Sequence, residues 1–185
     1  MRFPKNQVLT SVSFNSDLSC FICANAPSGD GKGGYCVFST LEFARLACRE
    51  FQTGGFSLAK LFDHINIVLL VGCKKAPQGF SDRNVVFYDD ARSKILWDVK
   101  LPSLVLSVEC KRDTLLIGID GNVFIYRIAP NFANVTFETS IATMPNPMGL
   151  CALSAGDSAL VVTFFIIVQL KCKLPLPPLR RGEAH

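Results

Sequence analysis

A repeated unit of four short strands is the feature that most constrains what this chain can fold into. Each unit opens with an alternating strand and a polar turn, then a more apolar strand, a variable polar loop and strands that end in a charged turn. Aligning Val12, Leu58, Ser107 and Leu150 gives a period close to the roughly 40 to 45 residues of a four-stranded propeller blade. The sequence therefore predicts an all-β fold, a partial β-propeller of about three and a half four-stranded WD-type blades.

The repeat also predicts where the blades and their strands lie. Residues 1–164 are expected to form the partial propeller, with blades at about 8–52, 55–99, 102–140 and 147–164, and residues 165–185 to form a Pro-rich basic tail outside it. The prolines of residues 173–178 exclude a central strand there. The predicted strands of the first three blades are 9–14, 19–25, 34–39, 44–51, 56–61, 67–72, 84–88, 94–99, 103–109, 114–119, 122–128 and 135–139.

The strongest local signal is Asp120-Gly121, which separates two alternating runs of β-branched and aromatic residues. Asp-Gly tolerates the positive φ angles of a type I′ turn, so the pair predicts a two-residue hairpin. One segment remains open to a second interpretation. Residues 41–49 have apolar positions that also fit helical spacing.

Composition supports buried strands and excludes some partners. The apolar share is 49%, the charged share is 18% and the mean hydropathy is +0.32, as expected when many strands are buried in stacked sheets. The net charge of +4 is too small and too dispersed to indicate nucleic-acid binding.

The eight cysteines do not predict a metal site. Cys20 and Cys23 form a CxxC pair, but it lies in an apolar run, and the only histidines are His64 and His185. The first ten residues have no apolar stretch of the signal-peptide type. We therefore expect reduced thiols, a cytoplasmic protein and no bound metal or cofactor.

The most apolar window, Ala159 to Leu170, is too short for a membrane-spanning helix of about twenty residues. It predicts one or two buried strands. A short tail anchor remains an alternative, because Lys171 and Lys173 follow the run.

No catalytic pattern occurs in the sequence. It has no GxSxG motif and no phosphate-binding glycine loop. The neighbouring carboxylates Asp89 and Asp90 would point to opposite faces of a strand, so they cannot share one reacting atom. Trp97-Asp98 spells the WD dipeptide but falls in the predicted outer strand of its blade. The sequence predicts no enzyme.

Five motifs occur in order along the chain. They are Phe14-Asn15-Ser16-Asp17-Leu18-Ser19-Cys20-Phe21, Leu69-Leu70-Val71-Gly72, Tyr88-Asp89-Asp90-Ala91-Arg92, Leu104-Val105-Leu106-Ser107-Val108 and Asn146-Pro147-Met148-Gly149-Leu150-Cys151-Ala152-Leu153. Together they resemble the first half of a PROPPIN, one of the WIPI-type WD-repeat propellers of autophagy. Met148 stands where that family usually has a lysine.

The resemblance implies a scaffold that binds phosphatidylinositol 3-phosphate and the 3,5-bisphosphate and recruits autophagy factors. It implies a cytoplasmic protein held peripherally at pre-autophagosomal, endosomal or vacuolar membranes. The family holds the lipid with a Phe/Leu-Arg-Arg-Gly motif, which makes Arg180 and Arg181 the candidate lipid-binding residues, with an unstructured basic tail as the alternative. In the family, however, that motif follows two further blades.

Asn15 and Asp17 are the candidate partner-binding residues. They fall in a tight turn between the first two strands, where short polar side chains cap the backbone. The resemblance implies that this turn docks an autophagy lipid-transfer protein, and both side chains are expected to face solvent.

Two other functions and one form of association remain open. The chain could be a tail-anchored membrane protein with a cytosolic propeller fragment, or an inert truncated product. Because each blade buries its faces against two neighbours, we also expect marginal stability or self-association through an exposed fourth blade.

Overall fold

The part of the protein that the structure describes consists of three four-stranded antiparallel sheets and one further strand pair. The computed structural model describes residues 8–63 and 65–153, and the backbone of residues 160–163 and 166–169. Blade 1 contains β1 (Val8–Phe14), β2 (Cys20–Ala26), β3 (Gly33–Ser39) and β4 (Arg45–Phe51). Blade 2 contains β5 (Phe56–Leu61), β6 (Ile67–Gly72), β7 (Asn84–Asp89) and β8 (Lys94–Lys100). Blade 3 contains β9 (Ser107–Lys111), β10 (Thr114–Ile119), β11 (Asn122–Ile128) and β12 (Val135–Ala142), with a 3-10 turn at Pro130–Phe132.

Within each blade the strands pair in sequence order, and the three blades stand side by side. Strand β1 contacts β5, and β5 contacts β9, so the first strand of each blade is the innermost and the fourth is the outermost. The predicted all-β fold of partial propeller blades is confirmed.

All three blades carry a bulge at the same place. The pairing of the third and fourth strands shifts at Val37/Phe38 in blade 1, Phe87/Tyr88 in blade 2 and Ile125/Tyr126 in blade 3. A bulge leaves one residue unpaired and increases the local twist. Its recurrence shows that the repeat in the sequence is also a repeat in backbone geometry.

Blade 2 contributes to both inter-blade cores, which explains the unbroken apolar sequence of its second strand, β6. All six residues of β6 are buried. Because successive side chains of a strand point to opposite faces, Val68 and Leu70 pack towards blade 1 while Leu69 and Val71 pack towards blade 3. The core with blade 1 includes Ile22, Tyr35 and Phe56, and the core with blade 3 includes Val85, Phe87, Leu115 and Ile117.

A polar contact reinforces the junction of blades 1 and 2. The Tyr35 hydroxyl donates to Asp90 Oδ1 at 2.6 Å, and Arg49 Nε donates to the same oxygen at 2.7 Å. Asp89 faces the other way and accepts from the backbone N–H of Arg92 at 3.0 Å. The two carboxylates thus have separate structural roles.

Ten of the twelve predicted strands match within one residue at both ends. Strand β9 begins at Ser107 instead of residue 103, because its ladder with β10 starts at the pair Ser107 and Gly118. Strand β12 extends to Ala142, because it pairs along the whole of β11. The helical alternative for residues 41–49 is wrong, since β4 pairs with β3 and Phe43 has φ 50°.

The Asp120-Gly121 hairpin is present, but its turn is not of type I′. Only Gly121 has a positive φ, +79°, whereas a type I′ turn needs two such residues. A long-range contact accompanies this geometry, because Asp120 Oδ1 accepts a hydrogen bond from the backbone N–H of Asn146 at 2.7 Å.

The expectation of eight free thiols is wrong for one pair. Cys36 and Cys48, directly opposite each other on β3 and β4, are joined by a disulfide. The apolar window near the end of the chain contains two paired strands, β13 (Leu160–Thr163) and β14 (Ile166–Gln169). Within the part of the chain that the structure describes, no helix has the length and apolar character needed to cross a membrane.

Candidate functional site

The turn between β1 and β2 holds both sequence-predicted partner residues, but only one of them faces solvent. Asn15 is 4% exposed. Its Nδ2 donates to Ser19 Oγ at 3.0 Å, and its Oδ1 accepts from the Cys20 backbone N–H at 2.9 Å. Asn15 therefore shapes the turn, and the expectation of a solvent-facing amide is wrong. Asp17 is exposed, and its Oδ1 accepts from the Ser19 backbone N–H at 3.0 Å.

The ends of the three innermost strands converge beside this turn. An open cavity of about 250 Å³ is lined by residues from the ends of β1, β5 and β9, including Phe14, Leu61 and Lys111. Lys60 Nζ lies 2.8 Å from Glu109 Oε2 across the cavity wall. Burial raises the pKa of the neighbouring Cys110 thiol to about 12, so this thiol stays protonated. We call this end of the molecule the Asp17 end.

Phe132 inserts between blades 2 and 3 at the Asp17 end. Its ring lies 5.0 Å from that of Phe62, edge to face, and 6.3 Å from that of Phe87. The indole Nε1 of Trp97 donates to the Phe132 carbonyl at 2.6 Å. The loop between β11 and β12 is thereby fixed over blade 2.

Two open cavities, of about 360 and 460 Å³, flank the Phe132 loop. Both are lined by Ile65, Asn131 and Phe132, and we call them together the blade 2–3 groove. Further apolar lining residues are Phe62, Ile67, Leu96, Trp97, Ile128, Ala129 and Pro130, and charged lining residues are Asp63, Asp89, Arg92, Arg112 and Asp113. Ile65 is 44% exposed, so an apolar side chain is available to a partner there.

The turns of the Asp17 end share an unusual backbone conformation. Among the described residues, every non-glycine residue with a positive φ lies in these turns: Leu18, Phe43, Asp63, Ser93, Arg112, Asn131 and Phe132. The left-handed region costs roughly 1–2 kcal/mol for an L-residue, so the strands on each side must hold it in place. The surface of this end is thus built on fixed turns.

Among residues 8–63 and 65–153, no three His, Cys, Asp or Glu side chains meet in a way that could hold a metal ion. Cys20 and Cys23, three apart on β2, point to opposite faces of the sheet and cannot bind one ion together. Arg180, Arg181 and His64 lie outside the described residues.

Sequence reasoning missed the blade 2–3 groove. Its central residue, Phe132, follows Pro130 and Asn131 in what reads as an ordinary loop. A bulky aromatic residue in such a polar loop is the only signal that could have indicated a buried anchor.

Comparison with known proteins identifies the kind of propeller. No protein-family model matches the chain. Autophagy-related protein 18 of Yarrowia lipolytica is 29% identical over 147 residues, which are 80% of this chain and 34% of that protein. The chain is related to the PROPPINs. It spans about one third of the length of this curated relative.

Solved structures agree with this relation at the level of the fold. Hsv2 of Kluyveromyces lactis, also a PROPPIN, superposes with a TM-score of 0.67 at 15% identity, over 91% of this chain and 48% of Hsv2. Atg21, solved in complex with the coiled coil of Atg16, superposes with a TM-score of 0.56 at 15% identity, over 72% of this chain and 39% of Atg21.

Proposed function

We propose that this PROPPIN relative is a non-catalytic scaffold of autophagy that binds phosphoinositide-bearing membranes and recruits other autophagy proteins. The observation that carries the proposal is the sequence similarity to Autophagy-related protein 18 over four fifths of the chain. On this proposal the protein works in the cytoplasm, peripherally attached to pre-autophagosomal, endosomal or vacuolar membranes.

The blade 2–3 groove is the proposed site for a helical protein partner. An amphipathic helix binds by burying an apolar stripe in a groove, while its polar face meets a charged rim. The groove offers apolar side chains around Phe132 and both signs of charge among its lining residues. The Atg21 complex supports a coiled coil as the class of partner, because that structure contains one.

The test of this groove is binding of a purified Atg16 coiled coil to the full chain. Ile65→Asp places a charge in the apolar wall and should weaken binding at least about tenfold, because an interface core is depleted of unpaired charge. Leu41→Asp is the matched control, since Leu41 is 84% exposed in the β3–β4 turn of blade 1. Equal loss in both variants would contradict the assignment.

Asp17 is the proposed contact for an autophagy lipid-transfer protein. The Asn15 side chain is buried within the turn, whereas the Asp17 carboxylate is exposed and can be reached by a partner. Asp17→Asn keeps an oxygen that can accept the Ser19 N–H and removes only the charge. We expect weaker binding of the lipid-transfer protein with unchanged thermal stability. Glu42→Gln, an exposed carboxylate of the β3–β4 turn, should leave binding unchanged.

Arg180 and Arg181 are the proposed lipid-binding residues. A guanidinium can grip phosphate oxygens in bidentate fashion, so two neighbouring arginines can each hold a separate headgroup. The sequence Leu179-Arg180-Arg181-Gly182 supports the proposal by its resemblance to the family motif.

Flotation with phosphatidylcholine vesicles, with and without phosphatidylinositol 3-phosphate, tests the proposed phosphoinositide binding. Arg180→Ala with Arg181→Ala should abolish flotation with the phosphoinositide vesicles. Lys171→Ala with Lys173→Ala removes the same charge from the same tail and should retain most of it. Absence of flotation by the unmodified chain would refute lipid binding and leave the partner proposal to its own test.

Carbonate extraction separates a peripheral scaffold from a tail-anchored protein. A peripheral protein leaves the membrane at high pH, whereas an anchored one stays in the pellet. Retention in the pellet would favour the anchor and overturn the proposed localisation.

A further inference from the structure

Three cysteines form a row across the blade 1 face that points away from blade 2. The strand register places Cys23 opposite Cys36, and Cys36 opposite Cys48. Alternate residues of the same strands, Ile22 and Tyr35, pack in the core shared with blade 2. The cysteine row is therefore on the opposite side of the sheet.

The two neighbours of Cys36 are not equivalent. The Cα atoms of Cys36 and Cys48 are 4.1 Å apart, which fits the closer, non-hydrogen-bonded type of antiparallel pair, about 4.5 Å. A strand residue directs its N–H and its C=O to the same neighbouring strand. Since Cys36 does not direct them to β4, it directs them to β2, and it forms with Cys23 the wider, hydrogen-bonded type of pair, with Cα atoms about 5.5 Å apart. Side chains are closer in the non-hydrogen-bonded pair, so Cys48 is the nearer partner of Cys36.

The three thiols also differ in access to solvent. Cys48 is on the outermost strand of the blade and is exposed, whereas Cys36 and Cys23 are each 1% exposed. Burial raises the pKa of the Cys23 thiol, which keeps it in the unreactive protonated form. A small oxidant in solution can reach Cys48, and Cys36 is reachable only through its neighbour.

We propose that Cys48 and Cys36 form a reversible thiol-oxidation site for low-molecular-weight disulfides, with Cys48 as the attacking thiol and Cys36 as the resolving thiol. The Cys48 thiolate attacks one sulfur of oxidised glutathione, forming a mixed disulfide and releasing one glutathione thiol. The Cys36 thiolate then attacks the Cys48 sulfur, forming the protein disulfide and releasing the second glutathione thiol. Two protein thiols lose two hydrogens and one small disulfide gains them.

Oxidation at this site would act on the junction with blade 2. Tyr35 and Arg49, the residues next to Cys36 and Cys48, form the adjacent cross-strand pair and hold Asp90 of blade 2 from the other face. A covalent link between β3 and β4 therefore fixes the two strands from which that contact is made. We expect a higher urea midpoint for the oxidised chain than for the reduced one.

The experiment uses the full chain, fully reduced and then incubated with oxidised glutathione under native conditions. Tryptic cleavage places the three thiols on separate peptides, residues 6–32 with Cys23, 33–45 with Cys36 and 46–49 with Cys48. We expect a link between the 33–45 and 46–49 peptides, with loss of two hydrogens and no retained glutathione.

Three variants test the assigned roles. Cys36→Ser should leave glutathione stably attached to Cys48, because no resolving thiol is present. Cys48→Ser should slow oxidation of Cys36 at least about tenfold, since buried thiols react only after local opening. Cys73→Ser, which removes a partly exposed thiol of another blade, should leave the 33–45 and 46–49 link unchanged.

Three results would overturn the proposal. One is a stable glutathione adduct on Cys48 in the chain without substitutions. Another is a link that forms only in urea. The third is fast oxidation of Cys36 in Cys48→Ser while circular dichroism shows that the variant is folded.

Discussion

The hydrogen bond between Tyr35 and Asp90 offers the sharpest test of how the blades are held together. Tyr35 is 0% exposed and donates its hydroxyl to Asp90 Oδ1 at 2.6 Å, across 55 positions of sequence. Asp90 has a second partner in Arg49, and its side chain is 22% exposed. The two ends of this bond are therefore in different environments, and removing each end should have a different cost.

Tyr35→Phe removes the hydroxyl without leaving a cavity or an unsatisfied buried group. Asp90 keeps its bond to Arg49 and can gain water. The loss is then the net value of one hydrogen bond to a charged group, about 1.5 kcal/mol. Asp90→Ala instead leaves the buried Tyr35 hydroxyl without its acceptor. The desolvation of that group adds roughly 1–3 kcal/mol, so we expect a total of about 3 kcal/mol.

Urea unfolding of the two single variants and the double variant measures these differences. The midpoints should shift with an unchanged m-value, because the surface exposed on unfolding does not change. The double variant should be no less stable than Asp90→Ala alone, since the phenylalanine ring has no hydroxyl to satisfy. Equal effects of the two single variants, or additivity within about 0.3 kcal/mol, would refute the argument.

Three further predictions concern the same blades. Burial and, secondly, the hydrogen bond to Asp90 raise the pKa of Tyr35 in the folded chain. Above about pH 10 the unfolded chain therefore releases a proton that the folded chain retains, and the free energy of unfolding falls. Urea titrations at increasing pH should show a smaller fall for Tyr35→Phe. Gly34→Ala makes the new Cβ clash with the Arg49 carbonyl oxygen and should lower stability by about 3 kcal/mol in thermal melts. The Cβ of Gly29→Ala meets nothing within 4 Å, so that variant should have little effect. Phe132→Ala removes a half-buried ring from the groove and should lower the free energy of unfolding by about 2 kcal/mol, because that ring is packed against Phe62. Phe137→Ala, at a residue that is 56% exposed, is the control and should lower it by less than about 0.5 kcal/mol.

The fold was predictable because its main signal is local. The apolar run of β6, whose six residues are all buried, can be read directly from the sequence, as can the alternating pattern that opens each blade. Strand ends that depend on a partner were less predictable. Strand β9 starts where β10 ends, and neither strand alone contains that information.

The candidate site was only partly predictable, because its contacts join distant positions. The motif containing Asp90 could be recognised, but its partners Tyr35 and Arg49 lie 55 and 41 residues away. Asn15 and Asp17 are both turn residues by composition, and only the hydrogen bonds of the folded turn show that Asn15 is buried. The position of Phe132 depends on the gap between two blades, which the sequence of its own loop does not describe.

Blade 1 shows how one pair of strands can serve two purposes without conflict. Side chains alternate between faces, so Tyr35 and Arg49 hold blade 2 while Cys36 and Cys48 lie on the face that points away from blade 2. A thiol in place of Tyr35 would be enclosed in the inter-blade core, because Tyr35 is 0% exposed. A clamp in place of Cys36 and Cys48 would point away from Asp90 and could not hold it. The same alternation of side chains that makes the strands predictable from the sequence thus also places the contact with Asp90 and the cysteine pair on opposite faces of the sheet.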